Sequence, residues 1–215
     1  MSYHAGMSRA IRHPPNAATR PYTNRRGDTY YLHQGLTKTG KPRYFAARAV
    51  GDGALATMPD GFEFTESING VVSVARKGRD VHPVPPADLE LVQVEQARHD
   101  HLSAYKVAPL RGDIVVYQPL GGMPAAVLPM RGPVKVGTPA YLRQLAELRA
   151  QALLHQKFDP VFKFMPATDA PGVYLASRMS YRGQGGWLDL RAGPLTRLAR
   201  QYIRLLGTDE LFEEF

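Results

Sequence analysis

A short basic stretch near the N-terminus carries the first candidate chemistry. Lys38, Lys41, Arg43 and Tyr44 stand close together in the segment YYLHQGLTKTGKPRYFAAR, which contains no acid. Such cations neutralise phosphates and release counterions, while an aromatic ring beside them can stack on a nucleic-acid base. The same pattern fits an edge hairpin whose lysines oppose aggregation and whose rings face a core. The segment is therefore either a nucleic-acid-binding hairpin or a guarded sheet edge.

A second candidate anion site lies between Ser177 and Arg191, in the segment SRMSYRGQGGWLDLR. Arg178 and Arg182 can each bind a phosphate or carboxylate through two hydrogen bonds, and the glycines let backbone N–H groups approach an anion. Trp187, the one tryptophan in the chain, can stack on a base or anchor a protein contact. The alternative is a structural loop with a core tryptophan, because tryptophan is highly buried on average. The spacing matches no phosphate-binding fingerprint.

Sequence patterns for catalysis and metal binding are absent. The chain has no cysteine, which excludes disulfides, thiolate metal sites and a cysteine nucleophile. His99, Asp100 and His101 are adjacent, whereas a pair of metal ligands on a helix needs the i, i+4 spacing. No nucleophile elbow, zinc-protease motif or Walker motif occurs. We therefore predict no metal, no cofactor and no catalytic residue, and an enzyme only if distant residues assemble a site.

The charge of the chain is unevenly distributed, and this distribution favours polyanions as partners. The formal net charge is +8 over 215 residues. Residues 1–48 carry nine Lys or Arg and one Asp, and residues 101–204 carry fourteen Lys or Arg against five acids. Residues 49–100 and the last eleven residues are acidic. Basic blocks displace counterions from phosphates, although a modest positive charge also serves solubility alone.

Hydropathy predicts a protein without a membrane partner. Hydrophobic residues make up 44% of the chain, which suffices for a packed core. No apolar run approaches the roughly 18 residues of a membrane span. Residues 1–21 hold three arginines and three prolines and lack the apolar centre of a secretory signal, so they are typical of a basic flexible tail. With the absence of cysteine, these features predict a cytoplasmic location.

Strand patterns dominate residues 22–80, which we predict to form an antiparallel β domain. Thr29–Gln34 and Pro42–Arg48 form one predicted hairpin. Alternation along its second strand puts two sets of side chains on opposite faces, namely Tyr44, Ala46 and Arg48 against Arg43, Phe45 and Ala47. A later hairpin turns at Asn69-Gly70, the dipeptide favoured in a type I′ turn.

Residues 81–215 alternate between helix and hairpin patterns, after a boundary at the proline-rich segment HPVPPAD. The predicted elements are a helix beginning near Pro86, a hairpin around Arg111-Gly112-Asp113, a helix capped by Thr138, a hairpin at Asp169–Gly172 and a helix ending at Gly207. Hairpins between helices require antiparallel pairing, so the fold class is α+β: a small antiparallel β-hairpin sheet followed by an α+β part. The acidic tail GTDELFEEF either docks onto a partner protein or folds back onto the chain.

The combination of RRGDTYYLHQGLTKTGKPRYF, MPDGFEF, SRMSYRGQGGWLDL and LARQYIRLLGTDELFEEF resembles an uncharacterised bacterial protein family with no assigned function. The resemblance spans most of the chain and implies no catalytic residues. From the residues themselves, we expect a non-catalytic protein that binds nucleic acid or another polyanion through its basic surfaces. The alternative is an adaptor that binds a protein partner through Trp187, the loop 119–138 and the acidic tail.

Overall fold

The computed structural model describes residues 21–78, 83–121, 135–180 and 186–213. The chain divides into two compact units, Met1–Arg79 and Asp80–Phe215. The described residues form antiparallel sheets in both units and helices in the second, so the predicted α+β class is confirmed. None of the described helices is long and apolar enough to cross a membrane. Apart from Pro21, the predicted basic tail lies outside the described residues.

The first unit consists of a three-stranded sheet and a separate hairpin. Its strands are β1 (Tyr22–Thr23), β2 (Thr29–Leu36), β3 (Pro42–Ala47), β4 (Phe62–Glu66) and β5 (Val72–Arg76). β1, β2 and β3 pair in that order, and β4 pairs with β5. Leu32 and Val72 are buried, and the rings of Tyr44 and Phe62 lie 4.8 Å apart in an edge-on arrangement. The hairpin therefore packs on the sheet through aliphatic and aromatic side chains.

Polar contacts tie the β4–β5 hairpin to the three-stranded sheet. Asn24, buried in the turn between β1 and β2, donates from Nδ2 to the Gly70 carbonyl oxygen at 2.8 Å. Its Oδ1 accepts from the backbone N–H of Asp28 at 2.8 Å. The Tyr22 hydroxyl of β1 donates to the Glu66 carboxylate at the end of β4 at 3.2 Å. A buried amide without such partners would cost about 1–3 kcal/mol, so these contacts fix how the two sheets meet.

The prediction of a type I′ turn at Asn69-Gly70 is wrong. A type I′ turn requires positive φ at both central residues. Gly70 has a φ of 69°, but Asn69 does not have positive φ. The Gly70 N–H donates to the Ser67 carbonyl oxygen at 2.9 Å, which describes a type I turn followed by a left-handed glycine. The contact between Asn24 and Gly70 comes from a distant part of the chain and cannot be inferred from the local dipeptide.

The second unit is an antiparallel meander with helices packed on one face. Its elements are α1 (Pro86–Ala97), β6 (Lys106–Leu110), β7 (Asp113–Pro119), α2 (Pro139–His155), β8 (Phe158–Pro166), β9 (Val173–Met179), β10 (Trp187–Pro194), α3 (Leu195–Tyr202) and α4 (Glu210–Glu213). The strands pair in the order β10-β9-β8-β7-β6, so each lies beside its neighbours in the sequence. Short 3₁₀ turns follow α1 and α3.

The core of the second unit lies between one face of the meander and the helices α1 and α3. Alternate strand residues supply the sheet side: Ile114 and Val116, Phe162 and Phe164, Tyr174 and Ala176. Val92 of α1 and Leu195 and Leu198 of α3 are buried against them. Each such apolar side chain contributes about 1.5–3 kcal/mol on burial. The Tyr174 hydroxyl also donates to the Asp88 carboxylate, which fastens the first turn of α1 to β9.

A type I′ turn at Arg111-Gly112 joins β6 to β7. Arg111 has a φ of 54° and Gly112 a φ of 88°, and Leu110 pairs directly with Asp113 across the two-residue loop. Glycine adopts this conformation freely, whereas an L-residue with a Cβ atom pays about 1–2 kcal/mol in the left-handed region. Arg111 is therefore a locally strained residue in an otherwise regular hairpin.

The long helix α2 begins where its cap is predicted. The Tyr141 N–H donates to Thr138 Oγ1 at 3.3 Å, and Pro139 occupies the first helical position. Leu142 and Leu153 of this helix are 57% and 44% exposed. The capping residues therefore establish this helix, although its leucines do not form a buried face in the described structure.

Replacing Arg111 by Asn should stabilise the second unit by up to about 1 kcal/mol, because Asn tolerates the left-handed conformation that a type I′ turn requires. Replacing it by Val should destabilise the unit, since a β-branched residue fits positive φ poorly. Urea unfolding monitored by the fluorescence of Trp187 measures both effects. A Val variant as stable as the wild type would contradict the turn geometry.

Alkaline pH should weaken the second unit through Tyr174. Burial, followed by the hydrogen bond to Asp88 and its charge, raises the pKa of Tyr174 above its usual range. The neutral hydroxyl is favoured in the folded state, so its stabilisation is complete below the unfolded-state pKa of about 10 and is lost as pH rises further.

Replacing Tyr174 by Phe should therefore reduce the loss of stability between about pH 8 and pH 11. Burial also raises the pKa of Tyr105 and Tyr117, so part of the loss should remain. Urea unfolding at both pH values checks this, with Tyr141→Phe as the control that should follow the wild type. An unchanged pH dependence in the Phe variant would refute the assignment.

Candidate polyanion-binding surface

The tip of the β2–β3 hairpin is a tight turn held by backbone hydrogen bonds. The Thr37 N–H donates to the Lys41 carbonyl oxygen at 2.8 Å, and the Gly40 N–H donates to the Thr37 carbonyl oxygen at 2.9 Å. The Lys41 N–H also donates to Thr37 Oγ1 at 3.1 Å. Gly40 has a φ of 77°, a conformation that glycine adopts without a steric cost. The turn therefore holds the backbone of Lys38 and Lys41 in one geometry.

Three cationic side chains project from this tip into solvent. Lys38, Lys41 and Arg43 are exposed, and none forms an ion pair with any residue in the described part of the chain. Arg48, at the far end of the hairpin, differs because its guanidinium lies 3.0 Å from the Asp28 carboxylate. Within the β2–β3 hairpin, the cations without an ion pair are therefore those of the tip.

The two aromatic residues beside Arg43 lie on opposite faces of β3. Tyr44 pairs with Gln34 and faces the β4–β5 hairpin, where it contacts Phe62. Arg43 and Phe45 share the other face, since side chains alternate along a strand. The predicted grouping of Tyr44 with the cations is therefore not found, and Phe45 takes its place. The alternation already visible in the sequence was the signal for this assignment.

Phe45 has a rigid support beneath its ring. Its ring stacks on that of His33 with centroids 5.4 Å apart and planes inclined by 23°. His33 is buried, and its Nε2 lies 2.9 Å from the Ala49 carbonyl oxygen. A Cβ atom added to Gly35 would lie 3.4 Å from Phe45 Cε1, so the ring extends over this glycine. Phe45 nevertheless stays 37% exposed and presents part of its surface to solvent.

Arg178, proposed from the sequence as an anion ligand, lies in the core of the second unit. It pairs with Phe162 and Leu188 across the meander and is only 4% exposed. Its guanidinium carbon lies 4.9 Å from the centroid of the Phe212 ring. Burial lowers the pKa of Arg178. The geometry is that of a packed structural arginine.

Trp187 lies on the opposite face of the sheet from Arg178. It pairs with Met179, the neighbour of Arg178 in β9, and adjacent residues in a strand face opposite sides. The indole ring is half-buried and lies 4.9 Å from Nζ of Lys163. Arg182 is outside the described residues. The structure therefore does not bring Arg178 and Trp187 together as one anion site.

The described part of the acidic tail folds back onto the second unit. Leu211 of α4 is buried in the core cluster, and Phe212 packs against it. Phe212 also carries the stacking contact with Arg178. A partner that bound the apolar side chains of this segment would have to pull them out of the core.

The described residues contain no obvious catalytic constellation. Across 21–78, 83–121, 135–180 and 186–213, no group of three or more His, Asp or Glu residues could hold a metal ion. His101 Nε2 lies 3.2 Å from the Leu206 carbonyl oxygen, and His99 Nε2 lies 3.7 Å from Glu95. A pocket of about 440 Å³ includes Asp159 and Asp209 in its lining, but Arg178 does not line it.

No protein-family model matches the chain, and no curated protein or solved structure matches it either. The resemblance noted from the sequence likewise implies no activity. The function therefore has to be argued from the arrangement of the residues.

Replacing Arg178 by Ala should lower the free energy of unfolding of the second unit by about 2–3 kcal/mol, since it removes a packed side chain from beneath Phe212. Replacing the exposed Arg197 of α3 by Ala removes the same charge and should change stability by less than about 0.5 kcal/mol. Urea unfolding monitored by Trp187 fluorescence compares the two. If Arg178→Ala left stability intact and abolished anion binding, Arg178 would be a ligand residue.

Proposed function

We propose that this protein is a non-catalytic binding protein that holds a nucleic acid or a similar polyanion against the tip of its β2–β3 hairpin. The observation that supports this most directly is the presence of Lys38 and Lys41 on one hydrogen-bonded turn, with Arg43 beside them at the start of β3. All three are exposed, and no described acid neutralises them. We place this role in the cytoplasm, where a chain without cysteines needs no oxidising environment.

Charge and solvation favour a polyanion over a single small anion at this site. Exposed cations keep most of their hydration, so each contact with one phosphate is weak in salt solution. A polyanion gains instead from the release of condensed counterions when several phosphates are neutralised together. Three cations on one tip therefore provide a salt-dependent affinity that a monovalent ligand cannot obtain.

A salt series tests the proposal. Fluorescence anisotropy with labelled single-stranded and double-stranded DNA and RNA should show binding at low salt that weakens as salt rises. Replacing Lys38, Lys41 and Arg43 together by Ala should reduce the slope of log K against log salt by about 2–3, because each lost phosphate contact removes about 0.7–0.9. The affinity at low salt should fall by more than about tenfold.

A matched triple variant distinguishes binding at the hairpin tip from binding through the net charge of the whole protein. Replacing Lys77, Arg143 and Lys157 by Ala removes the same three charges from other exposed positions and should leave the slope close to that of the wild type. Equal losses in both triple variants would mean that the charge acts through the whole molecule. No binding by the wild type even at low salt would rule out the proposed function.

A further inference from the structure

The exposed face of the hairpin offers more than positive charge. Arg43 pairs with Gly35 across the hairpin, and Phe45 pairs with His33 one step further along the same face. The cation and the ring are therefore separated by two residues of one strand, about 7 Å. Gly35 places no side chain between them. An arginine and an aromatic ring therefore follow one another along this surface, and the edge of the ring lies over Gly35.

The glycine is not required by the conformation of the backbone. Gly35 does not have positive φ, and the nearest atom to an added Cβ would lie at an ordinary contact distance of 3.4 Å. Glycine inside a strand weakens that strand, and it often marks a place where a ligand approaches the backbone. An alanine or larger side chain here would cover the edge of the Phe45 ring. Gly35 thus leaves room for the Phe45 ring to lie over the backbone of β2.

The support beneath Phe45 favours stacking on its free side. His33 is held by the Ala49 carbonyl oxygen and stacks on the ring from within the unit. A ring held in this way loses little conformational freedom when a flat ligand covers it. Protection of a sheet edge against aggregation would explain Lys38 and Lys41. It would not require the exposed Phe45 ring to stack on the buried His33 ring.

We infer that the polyanion is a single-stranded nucleic acid, with a base stacked on Phe45 and its phosphates contacted by Arg43 and the two turn lysines. This inference rests on the proposed function of the hairpin tip. Unpaired bases present a free π-face, and stacking on an aromatic side chain tolerates any base. In a duplex each base already stacks on its neighbours, so Phe45 gains nothing without unstacking them.

Two matched probes and one conservative substitution test the inference. The probes are a labelled oligothymidylate and an abasic oligomer with the same number of phosphates. The wild type should bind oligothymidylate about tenfold or more tightly than the abasic strand, because only the first can stack. Replacing Phe45 by Leu, which keeps an apolar side chain without a π-face, should abolish this preference and leave the salt slope unchanged.

Replacing Phe45 by Trp should retain the preference, and unchanged binding of the abasic strand by the Leu variant shows that its loss of preference does not come from misfolding. Replacing Gly35 by Val should weaken oligothymidylate binding by displacing the Phe45 ring while leaving abasic binding intact. Equal affinity of the wild type for both strands, or tighter binding to a duplex that is unaffected by Phe45→Leu, would overturn the stacking inference and leave polyanion binding standing. Absence of binding to every probe at low salt would overturn both.

Discussion

The alternation of side chains along antiparallel strands is the constraint on which both candidate sites depend. Because of it, Arg178 faces the helix-covered core of the meander. Met179, the next residue in β9, and its cross-strand partner Trp187 face the opposite side. The same rule separates Arg43 from Tyr44 and places Phe45 on the face of the arginine. A shift of one residue in either register would exchange these assignments, and would expose the buried apolar residues that fix the register.

The basic tip belongs to a unit that is anchored through other residues. Asn24 and Glu66 connect the β4–β5 hairpin to the sheet that carries the tip, and Tyr44 packs on that hairpin from the inner face of β3. The turn satisfies its own backbone hydrogen bonds through Thr37. Little of the charge on the tip is needed for folding, so its lysines and arginine remain available to a ligand.

The two groups of arginines illustrate opposite uses of the same charge. Arg178 is buried against Phe212, where it supports the packing of the acidic tail, and burial lowers its pKa. Arg43 is exposed and retains its hydration. Contacts of the second kind are weak singly and depend on salt. A stacking surface such as Phe45 would add the salt-independent component that three exposed cations lack.

The sequence by itself determined the α+β class, most strand positions, the cap of α2 and the basic stretch from Lys38 to Arg43, because these depend on period-two patterns, local capping chemistry and charge. It did not determine which side chains were accessible. Arg178 and Arg43 are chemically alike, and only the packing of helices on one sheet face makes the first a core residue. The turn at Asn69-Gly70 was misjudged because the strand pairing ends at Glu66 and Val72, which leaves a loop longer than the two residues of a type I′ hairpin. Packing between residues distant in sequence decided the first outcome, and the register of the strand pairing decided the second.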